Sequence, residues 1–491
     1  MRPAQFPTPT LTPGQAVHFI GAGGVGMSAL ATLLAQRGYR VSGSDIAENG
    51  YTQKLNALGG QVFIGPHNAK NLPESALVVI STAISPENPE FALARERGQV
   101  VCHRSGLLKA ILQDGALGIA FTHTVGITGT HGKTTLTAMA GWLLEVASVD
   151  PTIIAGGKLL AWQHTSKLST QLSLDNTHEP VASPRPEGHA GNTIAIAELD
   201  ESDGSLIAYQ PTLSVLTNLE LDHAEHFPGG IDELEAHFVE YVRNLHASHT
   251  VIINDGCPRL KRLFIDAPED QLKQIKATLR ALSDYPIPKA IYLPFPGEQY
   301  QLNARMALAI AAELGVSQTV GIEALSRYPG VGRRLEKLGE HLGFTLWDDY
   351  AHHPTEVLVT LGGMRERLPA GARLIAVFQP HRYTRLQALW DEFLTCFDTV
   401  DTLLLAPVYA AHEPELNGIT HTAFADALRA RQTAQACALA PSQVYATSAD
   451  WHEVRTQLEA IATPGDWIVT LGAGDITFLL RRWVQVPVAA T

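Results

Sequence analysis

Short apolar runs of strand length alternate along this chain with longer stretches whose apolar residues return every three or four positions. Ala16–Ile20 is the first strand candidate, and Met27–Arg37 follows it at helical spacing. Gln61–Ile64 and Leu77–Ser81 are further strand candidates, and Arg104–Leu112 predicts a helix closed by Gln113-Asp114-Gly115. A second set begins at Thr124–Thr128 and continues through Thr193–Ala197, Leu213–Leu216 and a helix over Asn303–Leu314. A third set, from Gly332 onward, has strand candidates Thr345–Trp347, Leu374–Phe378, Thr402–Leu405 and Trp467–Leu471. Such alternation predicts an α/β chain with mostly parallel sheets, because a parallel crossover has the length of a helix. The expected domains are 16–115, 116–331 and 332–491, behind a loose Pro- and Thr-rich arm, 1–15. Residues 163–192 are rich in Ser, Thr, Pro, His and Asn without periodicity and predict an insertion loop.

Composition narrows the class. At 491 residues, with 45% hydrophobic and 17% charged positions, the chain has material for about three packed domains. Lys and Arg number 36 against 49 acidic residues, a formal charge of −13. That sign argues against a nucleic-acid partner, whose phosphates call for the opposite one. Cys102, Cys257, Cys396 and Cys437 form no CxxC pair, so neither a disulfide framework nor a zinc site is legible, and a reducing compartment fits. No apolar run reaches the ~18 residues of a spanning helix. Arg2 and the apolar stretch Ala22–Leu34 have the outline of a signal peptide. Gly23, Gly24 and Gly26 inside that stretch, and a strand before it, predict strand, turn and helix instead. A cytoplasmic protein without membrane insertion is expected.

The strongest chemical signal is Thr128-Gly129-Thr130-His131-Gly132-Lys133-Thr134-Thr135, between a strand and a helix with Leu136, Met139, Leu143 and Val146 at helical spacing. A glycine turn there leaves backbone N–H groups free to cradle phosphate oxygens. Lys133 can neutralise the β and γ phosphates and the Thr134 hydroxyl can ligate Mg²⁺. The match to GxxxxGK[ST] is incomplete, since position 127 is isoleucine. Gly21, Gly23, Gly24 and Gly26 form a second turn of GxGxxG type, with Asp45 placed to reach a ribose hydroxyl. Alone it would favour a nicotinamide dehydrogenase, but a diphosphate-linked sugar nucleotide uses the same turn.

Carboxylates gather at two strand ends. Glu198, Asp200, Glu201 and Asp203 lie within six residues, and Glu220, Asp222 and His223 follow the next strand. Hard oxygen ligands beside a phosphate loop suit Mg²⁺. In the third segment, Asp348–Glu356 with His352 and His353, then His381-Arg382-Tyr383-Thr384-Arg385, follow successive strands. Arg382 and Arg385 suit bidentate binding of a carboxylate or phosphate.

In this order the pieces resemble the ATP-dependent Mur ligases of peptidoglycan synthesis, over nearly the whole chain. The resemblance rests on His18–Gly21 through Met27-Ser28, Ser42–Asp45, Asn88-Pro89-Glu90, the phosphate loop and Asp200–Ser205. It continues through Asp222-His223, Gly330–Glu336, Asp348–Glu356, His381–Arg385, Val408–Ala411 and Gly472–Asp475. Asp200–Ser205 and His381–Arg385 are those of the alanine-adding branch.

The resemblance implies a Rossmann-like UDP-binding domain, a central P-loop ATPase domain and a C-terminal Rossmann-like domain for the amino acid. It also implies the reaction. ATP phosphorylates the carboxylate of UDP-N-acetylmuramate, and the amine of L-alanine attacks the acyl phosphate. By the same resemblance Lys133, Glu201 and His223 are catalytic, and Thr134, Glu201 and His223 hold Mg²⁺. Gly129, Thr130, His131, Gly132, Lys133, Thr134, Thr135, Asn303, Arg333 and Asp348 would bind ATP. Gly21, Gly23, Gly24, Gly26 and Asp45 would bind the UDP substrate, and His352, Arg382 and Arg385 the amino acid.

Two departures stand out. The family's Gly-x-His-Asn-x-x-Asn becomes Gly297-Glu298-Gln299-Tyr300-Gln301-Leu302-Asn303, and residues 255–296 are short for the family. Both touch adenine recognition. The alternatives are a Mur ligase adding another amino acid or a recycled peptide, a binding paralogue with weakened ATP turnover, and a dehydrogenase using Gly21–Gly26.

Overall fold

Three parallel-type sheets follow one another along the chain, each flanked by the helices that connect its strands. The structure, a computed structural model, describes residues 3–118, 120–172, 193–221, 226–435 and 441–484. The first sheet comprises β1 (Ala16–Ile20), β2 (Arg40–Asp45), β3 (Gln61–Ile64), β4 (Leu77–Ile80) and β5 (Val101–His103), all parallel, in the order β3-β2-β1-β4-β5. The second is built of β6 (His123–Thr128), β7 (Thr152–Leu159), β8 (His164–Lys167), β9 (Ile194–Glu198), β10 (Leu213–Leu216), β11 (Thr250–Ile253) and β12 (Thr278–Ala281). Its order is β12-β11-β10-β6-β9-β7-β8, and only the β7–β8 pair is antiparallel. The third comprises β13 (Glu336–His341), β14 (Phe344–Asp349), β15 (Leu374–Phe378), β16 (Thr402–Leu405), β17 (Gln443–Ala446) and β18 (Trp467–Leu471). It is ordered β13-β14-β18-β15-β16-β17, with β13–β14 antiparallel.

The chain divides into two compact units, Met1–Tyr292 with Leu302–Gly330, and Leu293–Gln301 with Val331–Thr491. The first two sheets therefore share a unit, whose core runs continuously from Phe19 and Leu33 to Ile253 and Phe264. Parallel strands buried on both faces read as apolar runs, which is why Leu77–Ile80 and Leu213–Leu216 are legible from sequence. No described helix is long and apolar enough to cross a membrane. Cys102, Cys257 and Cys396 are free, and Cys437 lies outside the described residues.

Two expectations are corrected. The described part of the N-terminal arm, although exposed along much of its length, is anchored to the first domain rather than loose. Pro3–Gln5 forms a 3-10 turn, the Phe6 ring lies 6.3 Å from that of Phe91, and a Cβ on Gly106 would come within 3.2 Å of the Pro7 carbonyl. The insertion loop expected over 163–192 begins instead with β8, and all four of its residues are buried. Its remainder, 173–192, lies outside the described residues. β8 escapes a composition argument because its polar side chains find partners far away in sequence. His164 Nε2 lies 3.3 Å from Thr32 Oγ1, the Ser166 hydroxyl donates to the Ala29 carbonyl at 3.1 Å, and Lys167 donates to Glu145 at 2.7 Å and to Asp150.

The Lys167 ammonium holds two carboxylates in a largely buried place, so its removal leaves both negative charges without their cation, although Asp150 keeps its bonds from Ser169 and Thr170. Lys167→Met is expected to lower stability by roughly 3–5 kcal/mol, the cost of breaking a buried ion pair from one side. Lys273→Met, which removes an exposed pair with Glu269, is expected to leave it unchanged. Urea titration of the three proteins reads the difference; equal midpoints would show that charge does not hold β8 in place.

Candidate active site

The loop 129–132 leaves the end of β6 and enters the helix Lys133–Val146. Gly129 and Gly132 adopt φ of 128° and 84°, conformations open to glycine. Gly129 is also confined by space, because a Cβ would overlap the Thr217 hydroxyl and sit 2.8 Å from the Asn218 carbonyl. The loop is tied to the exit of β10. His131 N donates to Asn218 Oδ1 at 2.8 Å, the Thr217 hydroxyl donates to the His131 carbonyl at 2.8 Å, and the Thr130 hydroxyl donates to the Glu220 carbonyl at 2.9 Å. The first-turn N–H groups of the following helix are thus presented by a fixed frame, the arrangement that receives phosphate.

Charge is concentrated beside it. Lys133 Nζ donates to Glu201 Oε1 at 2.9 Å and to the carbonyls of Gly129 and Thr130 at 2.6 and 3.2 Å. Burial alone would lower the Lys133 pKa, but Glu201, Glu198 and Asp200 outweigh it and the net shift is upward. Burial raises the pKa of Glu201 despite Lys133, and its Oε2 is buried with no hydrogen-bond partner among the described residues. The Thr134 hydroxyl donates to Glu198 Oε2 at 2.8 Å, and Gly156 N donates to the same oxygen at 2.7 Å. Arg104 Nη2 lies 2.6 Å from Asp200 and 3.5 Å from Asp203. Burial works to raise the Asp200 pKa, but Arg104 and Lys133 hold it well below the usual carboxylate range.

The structure therefore brings Lys133, Thr134 and Glu201 together with Glu198, a member of the carboxylate run read as suited to Mg²⁺, and adds Arg104, which the sequence reading left out. Glu198 had a signal, as the strand-end member of the carboxylate run. Arg104 had only its place at the start of a helix after β5. His223 and Asp222 lie outside the described residues. Asn303 is buried on the helix Glu298–Glu313, its Oδ1 without a hydrogen-bond partner among the described residues.

At the first sheet, Gly21, with φ of 84°, starts the turn into the helix Val25–Gln36. Asp45 accepts from Gly23 N at 2.8 Å, so its carboxylate clamps the turn in addition to whatever it offers a ribose. A Cβ on Gly26 would come 3.3 Å from Arg104 Nη1, so the third glycine of the motif lies in close contact with that guanidinium.

In the second unit, Arg333 takes φ of 58°, donates to the Gly472 and Gly474 carbonyls at 2.6 and 3.1 Å, and lies over the Tyr350 ring. Asp348 has no exposed surface and accepts from Thr470 at 2.9 Å, Thr477 at 2.6 Å and Arg481 at 2.9 Å. His352 packs edge-on to His381, whose ring stacks on Tyr409 and lies 3.3 Å from Arg385 Nη1. Arg382, at φ of 69°, donates its N–H to the Tyr409 carbonyl at 2.9 Å. Burial, then the charges of His352, Arg385 and Arg382, push the His381 pKa down to about 3, so the ring is neutral. Tyr300 stacks on Phe295 and donates to the Arg334 carbonyl at 2.9 Å, so both its ring and its hydroxyl have partners here.

Comparison with known proteins gives one consistent result. Residues 16–115 match the model of the Mur ligase family, catalytic domain; 127–311 match the Mur ligase middle domain; and 333–474 match the Mur ligase, glutamate ligase domain. The chain is similar to a UDP-N-acetylmuramate–L-alanine ligase of Methylobacterium radiotolerans, 35% identical over 486 residues, covering 94% of this chain and 95% of that one. It is likewise similar to a protein of the same name from Trichlorobacter lovleyi, 34% identical over 477 residues and covering 94% and 96%. Its fold is similar to that of UDP-N-acetylmuramate-alanine ligase from Thermotoga maritima, with a TM-score of 0.71 at 23% identity, covering 96% and 98%.

The frame of the phosphate loop makes a prediction of opposite signs. Gly129→Ala forces a Cβ into Thr217 and Asn218, and is expected to destabilise by roughly 1–3 kcal/mol through overpacking and strain. Gly362→Ala, inside the helix Pro354–Arg367 with nothing within 4 Å of the new Cβ, is expected to stabilise by about 0.5–1 kcal/mol. Thermal unfolding of both variants checks this, and a Gly129→Ala midpoint at or above wild type would refute the confinement of the loop.

Proposed function

This chain belongs to the Mur ligase family, and we propose that within it the protein joins L-alanine to the carboxylate of UDP-N-acetylmuramate, using ATP. The observation that carries this choice is the 35% identity to a ligase of that name along 94% of the chain. The geometry supports it, with a fixed phosphate-receiving turn beside a half-buried Lys133 and a cluster of carboxylates.

In this reading the N–H groups of Gly129–Thr135 hold the phosphates of ATP, and Lys133 exchanges its Glu201 contact for the transferring phosphoryl group. The carboxylate oxygen of UDP-N-acetylmuramate attacks the γ-phosphorus, the bond to the β-phosphate oxygen breaks, and ADP leaves. The amine of L-alanine then attacks the acyl carbon and inorganic phosphate departs. A preorganised cation facing the charge of the transferring group is the main contribution such a site makes. The donors near Lys133 fit Mg²⁺: Thr134 Oγ1, the Glu198 carboxylate 2.8 Å from it, and the unpartnered Glu201 Oε2 are all hard oxygens. Bound there, the ion would neutralise phosphate charge. The His223 of the motif is assigned to the same role from sequence.

The turn Gly21–Gly26 with Asp45 would receive the UDP moiety. Asn303, with its orphaned amide oxygen, would face the adenine. Arg333 would meet the nucleotide, with Asp348, 3.8 Å from its Nε, fixing its orientation. His352, Arg382 and Arg385 would hold the carboxylate of L-alanine next to a neutral His381. Acyl phosphates hydrolyse readily, so attack by the amine requires a site closed to water.

ATP-dependent phosphate release with UDP-N-acetylmuramate, measured across a panel of amino acids, tests the reading. Release specific to L-alanine is expected. Preference for another amino acid or for a peptide would move the protein to another branch, and no release at all would make it a binding paralogue. Lys133→Ala is expected to stay folded and lose on the order of 10³-fold in kcat, as when a positioned charge stabiliser is deleted. Near-normal release by the folded variant would remove Lys133 from the chemistry.

A further inference from the structure

We propose that Glu90, acting through Ser44, is a positioning residue for the turn Gly21–Gly26 and so for binding of the UDP substrate. The inference deepens the function proposed above and rests on the reading that this turn holds that substrate.

Glu90 lies at the start of the helix Pro89–Glu96, and its carboxylate is fully buried. Five groups converge on it. His18 Nε2 from β1 is at 2.9 Å and the Ser44 hydroxyl from β2 donates at 2.7 Å; from the segment beyond β3 come His67 Nδ1 at 3.3 Å, the Asn68 N–H at 3.2 Å and the Asn71 amide at 3.1 Å. His18 is itself steadied by Ser42 Oγ, 2.8 Å from its Nδ1. Burial alone would raise the Glu90 pKa, but the hydrogen bonds from His18, Ser44 and Asn71 and the charge of His18 bring it down to about 2.

A fully buried carboxylate is costly unless its partners are held rigidly, and here they are drawn from three successive strands or their exits. Ser44 passes this order to the turn. Its hydroxyl is on Glu90, while its carbonyl accepts both Gly21 N at 2.8 Å and Ala22 N at 3.0 Å. Asp45, the next residue, takes Gly23 N. Three consecutive N–H groups of the turn are thus held by the last two residues of β2, and the end of β2 is held by Glu90. Gly21 sits in the left-handed region, so without these bonds nothing in its own φ preference would fix the entry to the turn.

A merely structural buried charge would lower stability and scale all kinetic constants alike. A positioning role predicts a split. In the full-length chain, Glu90→Gln and Ser44→Ala are each expected to raise KM for UDP-N-acetylmuramate about tenfold, with KM for ATP and kcat at saturation within about twofold, since a displaced binding group weakens ground and transition states together. The double variant is expected to be no worse than Glu90→Gln, because two residues in one chain of contacts are non-additive. Amide exchange over residues 20–27 is expected to quicken at least tenfold in both single variants. Unchanged exchange there in a folded variant would overturn the inference whatever the substrate proves to be, as would additive effects in the double variant. If Glu90→Gln does not fold, Ser44→Ala carries both measurements. Quickened exchange in a protein whose wild type does not turn over UDP-N-acetylmuramate would uphold Glu90 as the organiser of the turn and sink the substrate reading.

Discussion

Four carboxylates and two cations meet at the mouth of the central sheet, and the need to keep them compatible shapes everything around them. Glu198, Asp200, Glu201 and Asp203 leave β9 within six residues, while Lys133 and Arg104 arrive from two different helices. None of these charges could be buried alone, because desolvation of an isolated ion exceeds what a single contact returns. Lys133 holds Glu201, Arg104 holds Asp200 and Asp203, and Thr134 and Gly156 hold Glu198. The surplus of negative charge remains at the place where a phosphate loop opens. It is the electrostatic setting for a cation and a triphosphate that neutralise each other as they bind.

Arg104 also explains how two sheets form one unit. It begins the helix after β5 in the first sheet, yet both of its carboxylate partners belong to the second. Tyr209 repeats the link at the next residue of that helix, donating its hydroxyl to the Ser105 carbonyl at 3.2 Å. β8 adds a third link from the far edge of the second sheet, through Thr32 and Ala29 of the first helix. The glycine turn and the phosphate loop are therefore set in one frame.

The repeating framework was legible because it is local. β1, β3, β10, β15, β16 and β18 were readable as apolar runs with the bounds found here, and the turn glycines declared the two strand-to-helix corners. What was not legible depends on partners distant in sequence. β8 is polar at every position, and its burial follows from Thr32, Ala29, Glu145 and Asp150. β13 is charged at half of its positions and pairs at an edge, where one face stays wet. Lys133 and Thr134 were found because the chemistry fixes their place in the glycine loop, and Glu201 because it stands in a run of carboxylates at a strand end that matches the family's pattern. Glu90 and His18 were not singled out as chemistry, because a buried carboxylate and its histidine, 72 residues apart, leave no spacing to read.

The glycine turn of the first sheet shows where a motif stops being an argument. GxGxxG followed by an acidic residue predicts a ligand diphosphate at the helix N-terminus and a ribose on the carboxylate. In this chain two of those positions already have tasks within the protein. Asp45 closes on Gly23 N, and Gly26 lies against the Arg104 guanidinium, which a Cβ there would approach to 3.3 Å. Both features would be needed with no nucleotide of any kind bound, so the pattern alone could not separate a dehydrogenase from a ligase. The separation comes from the other end of Arg104. A dehydrogenase has no use for a cation that anchors an acidic cluster beside a phosphate loop, whereas a ligase must bring its acceptor and its phosphoryl donor within reach of each other.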